Sequence, residues 1–267
     1  MLEILQYGFM QRAIIAGLLI AIICTSLGVF LVLRRMSLLG DGLAHISFGG
    51  IAAGMFFNIY PMISALAFSI LAAIGIQKLK RMKVYGDAAI AIFFSFGLAL
   101  GVVLVSLSHG FNSDLFSYLF GSILAVSETD ILIIFSVGLI CLAILAIFYK
   151  ELFYLTFDEE SARVSGIPTE SLNTVLVIIT AVSVVISMRI VGMLLVSSFI
   201  VIPASISLLF CKSFKGAIAS SIIVGVLSVL IGLFSAYYLD LAAGGSIVLT
   251  LVFAFCIALA YKKLFSK

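Results

Sequence analysis

Charge is the scarcest commodity in this chain. Asp, Glu, Lys and Arg make up 10% of its 267 residues, where soluble domains carry about a quarter. With 64% of residues hydrophobic, the deficit excludes a soluble core, and no stretch is left over for a soluble domain of even modest size. A glycine-rich G-x-x-x-x-G-K-[ST] loop is also missing, and no Gly-Lys dipeptide occurs anywhere, so the chain cannot itself be a nucleotide-binding ATPase. The four cysteines, Cys24, Cys141, Cys211 and Cys256, form no C-x-x-C pair and fall within apolar runs, as packing or lipid-facing residues do. The formal charge of +3 sits in short clusters between apolar runs rather than in a phosphate-binding patch, which argues against nucleic acid as a partner. Nor is a cleavable signal peptide expected: the first apolar run is long enough to span and ends at Arg34-Arg35 without a small-residue cleavage site.

What is present is a succession of long apolar runs. Water is absent from the bilayer core, so backbone groups must satisfy one another there, and runs of about 20 residues favour helices over barrel strands. Spans are expected at about Arg12–Leu33, Leu38–Phe57, Met62–Ile76, Ala88–Leu107, Ile131–Tyr149, Ser171–Ser187, Ile190–Phe210, Ala217–Tyr238 and Ser246–Tyr261. Residues 115–127 are apolar but short, suiting a re-entrant or interfacial piece. The fold class is therefore an all-α polytopic membrane protein of about nine transmembrane helices, with eight to ten as the bounds, in a single domain over residues 1–267. With the N-terminus outside, thirteen of the fifteen Lys and Arg residues fall in the cytoplasm and only Arg12 and Arg189 do not, so N-out, C-in is the expected topology.

Some signals concern packing. Gly50-x-x-x-Gly54 and Gly97-x-x-x-Gly101 have the small-residue spacing that lets helices approach closely in lipid. Pro203 lies within a span, where it removes a backbone donor and should kink the helix; a moving gate and a static kink both fit. Arg189 fits either an interfacial side chain reaching headgroups or a broken helix lining a pathway. His109, Asp114, Glu128, Asp130 and Asp240 form either an acidic funnel on the outer side or, more simply, solvated loop ends.

The one substantial polar connection, about residues 150–170, holds a short helix marked at both ends. Asp158 suits its N-cap, Glu159 and Glu160 its first turn, Ala162 its body, Arg163 its last turn and Gly166 its left-handed end, with Pro168 blocking continuation. It could dock on another protein or simply be solvated.

The stretch that carries chemistry is Ser37–Gly50. Asp41 and His45 stand four residues apart, hence on one face of a helix, inside a segment otherwise apolar enough for lipid. Ionisable groups there are costly and mark a pathway or binding site by default. A carboxylate and an imidazole suit Zn²⁺ or Mn²⁺, and two ligands leave a shell open enough to release its ion. A buried Asp–His hydrogen bond or a helix-end cap accounts for the pair equally simply.

Arg34-Arg35-Met36-Ser37-Leu38-Leu39-Gly40-Asp41-Gly42-Leu43-Ala44-His45 resembles the signature of the prokaryotic zinc/manganese-uptake ABC permeases. Tyr118-Leu119-Phe120-Gly121 resembles a second motif of that family, Val191-Gly192-Met193-Leu194-Leu195-Val196 through Pro203-Ala204 a third, and Asp240 with Gly244-Gly245-Ser246-Ile247-Val248-Leu249 a fourth, in family order along the whole chain. The resemblance implies a type II importer-like permease of the cytoplasmic membrane. It implies a second copy of the chain, two cytoplasmic subunits that bind ATP, and an external metal-binding protein. It further implies that Asp41 and His45 contact the metal in transit and that the 158–166 helix is a coupling helix fitting an ATPase groove. Read from the residues themselves, Arg189, Pro203 and Asp240 are the candidate gate or pathway residues. Ser47-Phe48-Gly49-Gly50 lacks the Pro that manganese and iron members tend to carry, and Gln6–Arg12 also looks zinc-type, so Zn²⁺ is expected as cargo with Mn²⁺ second. Gly42, where Ala or Thr is usual, is expected to loosen its helix locally. The rival from another class is an ion-coupled secondary carrier, which would show paired broken helices in internal repeats; one break is visible, near Arg189, without a match in the first half.

Overall fold

The computed structural model describes residues 6–108, 113–122 and 126–265, and His109 and the side chain of Asp114 lie outside the described set. The described residues form twelve helices: α1 (Gly8–Leu33), α2 (Leu39–Phe56), α3 (Pro61–Arg81), α4 (Gly86–Leu107), α5 (Ser113–Phe120), α6 (Glu128–Ile147), α7 (Tyr149–Phe157), α8 (Glu159–Val164), α9 (Thr169–Val191), α10 (Val196–Phe210), α11 (Phe214–Leu239) and α12 (Ala243–Phe265). Seven of these, α1, α3, α4, α6, α9, α11 and α12, are long and apolar enough to cross a membrane. Two interior helices fall short of that bound. At 15 residues α10 is too short, and the 18-residue α2 carries Asp41, His45 and five glycines. The eight residues of α5 are far too few to cross.

Contacts at the helix ends define two poles. At one, Arg34 pairs with Glu159 and Arg81 with Glu170, while Phe210 meets Tyr261. This basic pole gathers the turns after α1, α3, α6 and α10 and the end of α12. At the other, Arg12 pairs with Glu128, Tyr60 reaches Asp130, and Phe9 stacks near Tyr237.

The interior is assembled through glycines. A Cβ on Gly97 would lie 2.4 Å from Ile46 Cα, and one on Gly49 would lie 2.8 Å from the Gly97 carbonyl oxygen, so α2 and α4 touch backbone to backbone. Gly50 and Gly54 admit Ala65 and Pro61 of α3 in the same way, which is the packing role their spacing predicts. Gly42 behaves likewise: its missing Cβ leaves room for Ile90 Cγ2, and α2 continues through it without a break, so it serves packing where local loosening was expected.

Helix ends differ from expectation for identifiable reasons. The last turn of α3 carries Lys78, Lys80 and Arg81 beyond the apolar run, because long cationic stems reach water while their helix continues. The polar connection holds two helices rather than one. Tyr149, Phe153 and Phe157 stand at successive helical turns on α7, and all three rings meet Phe214. The sixth span was expected to stop at Ser187, yet α9 runs to Val191 and takes Arg189 into its last turn; the break comes at Gly192, whose φ is +83°. Pro203 is buried inside α10, which runs as helix from Val196 to Phe210. Cys24 and Cys141 are buried packing residues, Cys211 is half-buried and Cys256 exposed.

Candidate metal pathway

Asp41 lies in the first turn of α2, where the helix dipole favours a negative group, and His45 follows one turn later. Between Leu39 and Gly54 every α2 residue except these two is buried, so one narrow face of an otherwise enclosed helix presents a carboxylate and an imidazole. At 1.5 Å per residue His45 sits about 9 Å along the helix from its basic-pole end. The imidazole packs on Phe94 of α4, ring centroids 4.2 Å apart at 55°, and lies within electrostatic range of Asp41. Its Nδ1 is buried without a hydrogen-bond partner. No hydrogen bond or ion pair ties the Asp41 side chain to another described residue, so the pair is not consumed by the cap or internal hydrogen bond that would explain it structurally. Among the described residues no group of three or more His, Cys, Asp or Glu side chains comes together.

Arg189 stands at the opposite pole. Its Nε lies 3.1 Å from Asp130 Oδ2, and its guanidinium carbon sits 4.2 Å above the Tyr118 ring. Asp130 is fully buried, accepts from the Tyr60 hydroxyl at 2.6 Å and closes a capping box with Ser127 at the start of α6. Arg189 is thus buried in an ion pair rather than reaching outward to headgroups, and Asp130 is not a solvated loop end. The Ser127-x-x-Asp130 pattern was the available signal for this second acidic residue. Glu128 is exposed and pairs with Arg12 at 3.6 Å.

Beside that ion pair, three glycines from distant parts of the sequence meet. A Cβ on Gly121 would lie 2.1 Å from the Ile190 carbonyl oxygen, one on Gly192 would lie 2.6 Å from the Gly121 nitrogen, and one on Gly244 would lie 1.8 Å from the Val191 carbonyl oxygen. Backbone bonds from Ser122 N to Arg189 O (3.1 Å) and Met193 N to Tyr118 O (2.9 Å) lock α5 against the α9–α10 turn. Asp240, left-handed at φ +51°, ends α11 and lines a neighbouring cavity of about 280 Å³ with Phe9, Ser122 and Tyr237.

The profile of the ABC 3 transport family matches residues 6–262. The chain belongs to the ABC 3 transport family. It is 36% identical over 254 residues to the manganese import system permease protein ScaB of Streptococcus gordonii, covering 95% of this chain and 91% of that one. To the high-affinity zinc uptake system membrane protein ZnuB of Haemophilus influenzae it is 34% identical over 255 residues, covering 95% and 98%. In solved structures, PsaBC from Streptococcus pneumoniae in complex with Fab contains a chain that matches with a TM-score of 0.87 at 35% identity, covering 98% of this chain and 96% of that one. Within this ABC 3 member the motif around Asp41 and His45 shapes α2, and the other three recognised motifs converge on the glycine junction at the far pole. The chain is a multi-pass membrane protein.

On the basic pole, α8 has the caps its sequence predicts. Asp158 accepts from the Ser161 backbone N–H at 2.9 Å and from the Ser161 hydroxyl, which together hold its carboxyl below the usual carboxylate range. Ala162 is fully buried and anchors the helix, Glu159 turns back to Arg34, and Glu160 and Arg163 are exposed. Gly166 takes φ +82°. Val164 is an apolar side chain 89% exposed, which charge patterning did not single out.

Proposed function

We propose that this chain is the membrane-spanning permease subunit of an ATP-driven importer of a divalent transition metal, with Zn²⁺ as cargo before Mn²⁺. The observation that carries the reading is the half-buried face of α2: Asp41 and His45 alone are not fully buried between Leu39 and Gly54, and the buried His45 Nδ1 has no hydrogen-bond partner. A carboxylate and a neutral imidazole give an O,N donor set without thiolate, suited to both metals. The missing Pro after His45 favours zinc, while the ScaB relative keeps manganese as the second reading.

In the proposed topology α2 and α10 join the seven long helices to make nine crossings, with the N-terminus outside and the basic pole in the cytoplasm. A second copy of the chain supplies the other wall of the pathway. An external metal-binding protein delivers the ion at the pole that holds Asp240. Two ATP-binding subunits receive α8, with Asp158 and Gly166 fixing its ends and Glu160 and Val164 as its outward contacts. Arg189 and Pro203 lie on the helices flanking the Gly192 turn, which makes that turn the candidate gate. Metal at this level would take a carboxylate oxygen from Asp41 and an imidazole nitrogen from His45. ATP-dependent metal uptake by vesicles holding the full complex tests the reading; uptake driven by an ion gradient alone would place the chain among secondary carriers instead.

A further inference from the structure

At the basic pole α3, α8 and α9 enclose a cavity of about 290 Å³ lined by Gln77, Lys80, Arg81, Glu159, Arg163 and Glu170. Its carboxylates are already committed. Glu159 accepts from Arg34 at 3.3 Å and from the Asn173 side chain at 3.0 Å, and Glu170 pairs with Arg81 at 3.3 Å. Lys80 and Arg163 form no ion pair with any described residue; Glu159 and, at the start of α4, Asp87 lie within electrostatic range of Lys80 without pairing with it. Behind Glu159, the Arg34 side chain is just 8% exposed and its Nη1 has no hydrogen-bond partner among the described residues. The wall of this cavity therefore carries three cationic side chains, Lys80, Arg81 and Arg163, against the two carboxylates of Glu159 and Glu170, and the buried Arg34 adds to that excess from behind.

The neighbouring surface says what kind of anion would come. Along α3, Ile63, Ala67, Leu71 and Ile74 are exposed at intervals of three and four residues, forming one apolar stripe that runs into Lys78 and Arg81. Such a stripe belongs in hydrocarbon, which puts the cavity at the level where acyl chains give way to headgroups. We infer that this cavity seats the phosphodiester headgroup of an anionic phospholipid, with Lys80 and Arg163 as its principal contacts and the acyl chains lying along the α3 stripe. Phosphate oxygens only accept hydrogen bonds, which is what unpaired ammonium and guanidinium groups require, and basic pockets between spans on the cytoplasmic side suit this chemistry. Free phosphate offers the same oxygens but nothing for the stripe. Since α8 contributes both Glu159 and Arg163, an occupied seat also ties the proposed coupling helix to α3. The inference rests on the membrane placement of α3 and stands or falls separately from metal transport.

Native mass spectrometry of the full complex, released from nanodiscs of phosphatidylglycerol or phosphatidylcholine, tests it. Wild-type protein should retain phosphatidylglycerol selectively, and Lys80→Gln/Arg163→Gln should lower that retention by about tenfold or more. Lys80→Arg, which keeps the charge, and Lys262→Gln, outside the cavity, should retain it as wild type does, which separates loss of the seat from loss of the fold. Equal retention of phosphatidylcholine, unchanged retention by the double variant, or displacement of the lipid by millimolar inorganic phosphate would overturn the assignment. So would a double variant that keeps its lipid but loses the ATPase subunits, since the cavity would then belong to a protein carboxylate.

Discussion

Arg189 and Asp130, 59 positions apart in sequence, meet 3.1 Å apart with 12% and none of their side chains exposed. This ion pair joins α9 to α6, and through the Tyr60 hydroxyl and the Tyr118 ring it also gathers α3 and α5. A buried pair of this kind gives little net stability over an apolar pair, yet removing one member strands the other.

Arg189→Ala or Asp130→Asn alone should therefore destabilise the protein by about 3–5 kcal/mol, whereas Arg189→Met with Asp130→Leu should cost less than either single change. Thermal melts in detergent check this. Single and double variants of equal cost would show that the charges do not depend on each other.

The glycine junction makes a sharper prediction because it contains its own control. Gly244→Ala would press a methyl group against the Val191 carbonyl oxygen, and Gly121→Ala and Gly192→Ala add the strain of φ +75° and +83°. Each should lower expression and melting temperature. Gly245→Ala, with nothing within 4 Å, should leave both unchanged.

For the proposed coupling helix, Asp158→Ala removes the acceptor for two Ser161 donors and should reduce co-purification of the ATPase subunits, while Ser161→Ala removes one donor and should do so less. Because the carboxyl of Asp158 is held below its ordinary value, its capping contribution is complete above the unfolded pKa and is lost as pH falls through the folded one. Docking should accordingly be insensitive to Asp158 titration at neutral pH and weaken only below about pH 4.

How much of this was legible beforehand follows from the range of each interaction. The Asp41/His45 face is an i, i+4 relation within one helix, and the Asp158 and Gly166 caps are local too, so spacing alone exposes them. Apolar runs likewise place most spans. The Arg189–Asp130 pair and the meeting of Gly121, Gly192 and Gly244 depend on which helices become neighbours, and nothing within a few residues of Arg189 announces its acidic partner. α7 was hidden for a different reason: its aromatic rings look like the tail of a span until Phe214 arrives to gather them.

In the proposed transport cycle Asp41 and His45 pass the metal. Zinc uptake into proteoliposomes holding the complete transporter, with ATP inside and the external binding protein supplied, measures it directly. Asp41→Asn and His45→Ala should each lower uptake by on the order of tenfold or more while ATPase subunits still co-purify. Wild-type uptake rates in both variants would contradict it.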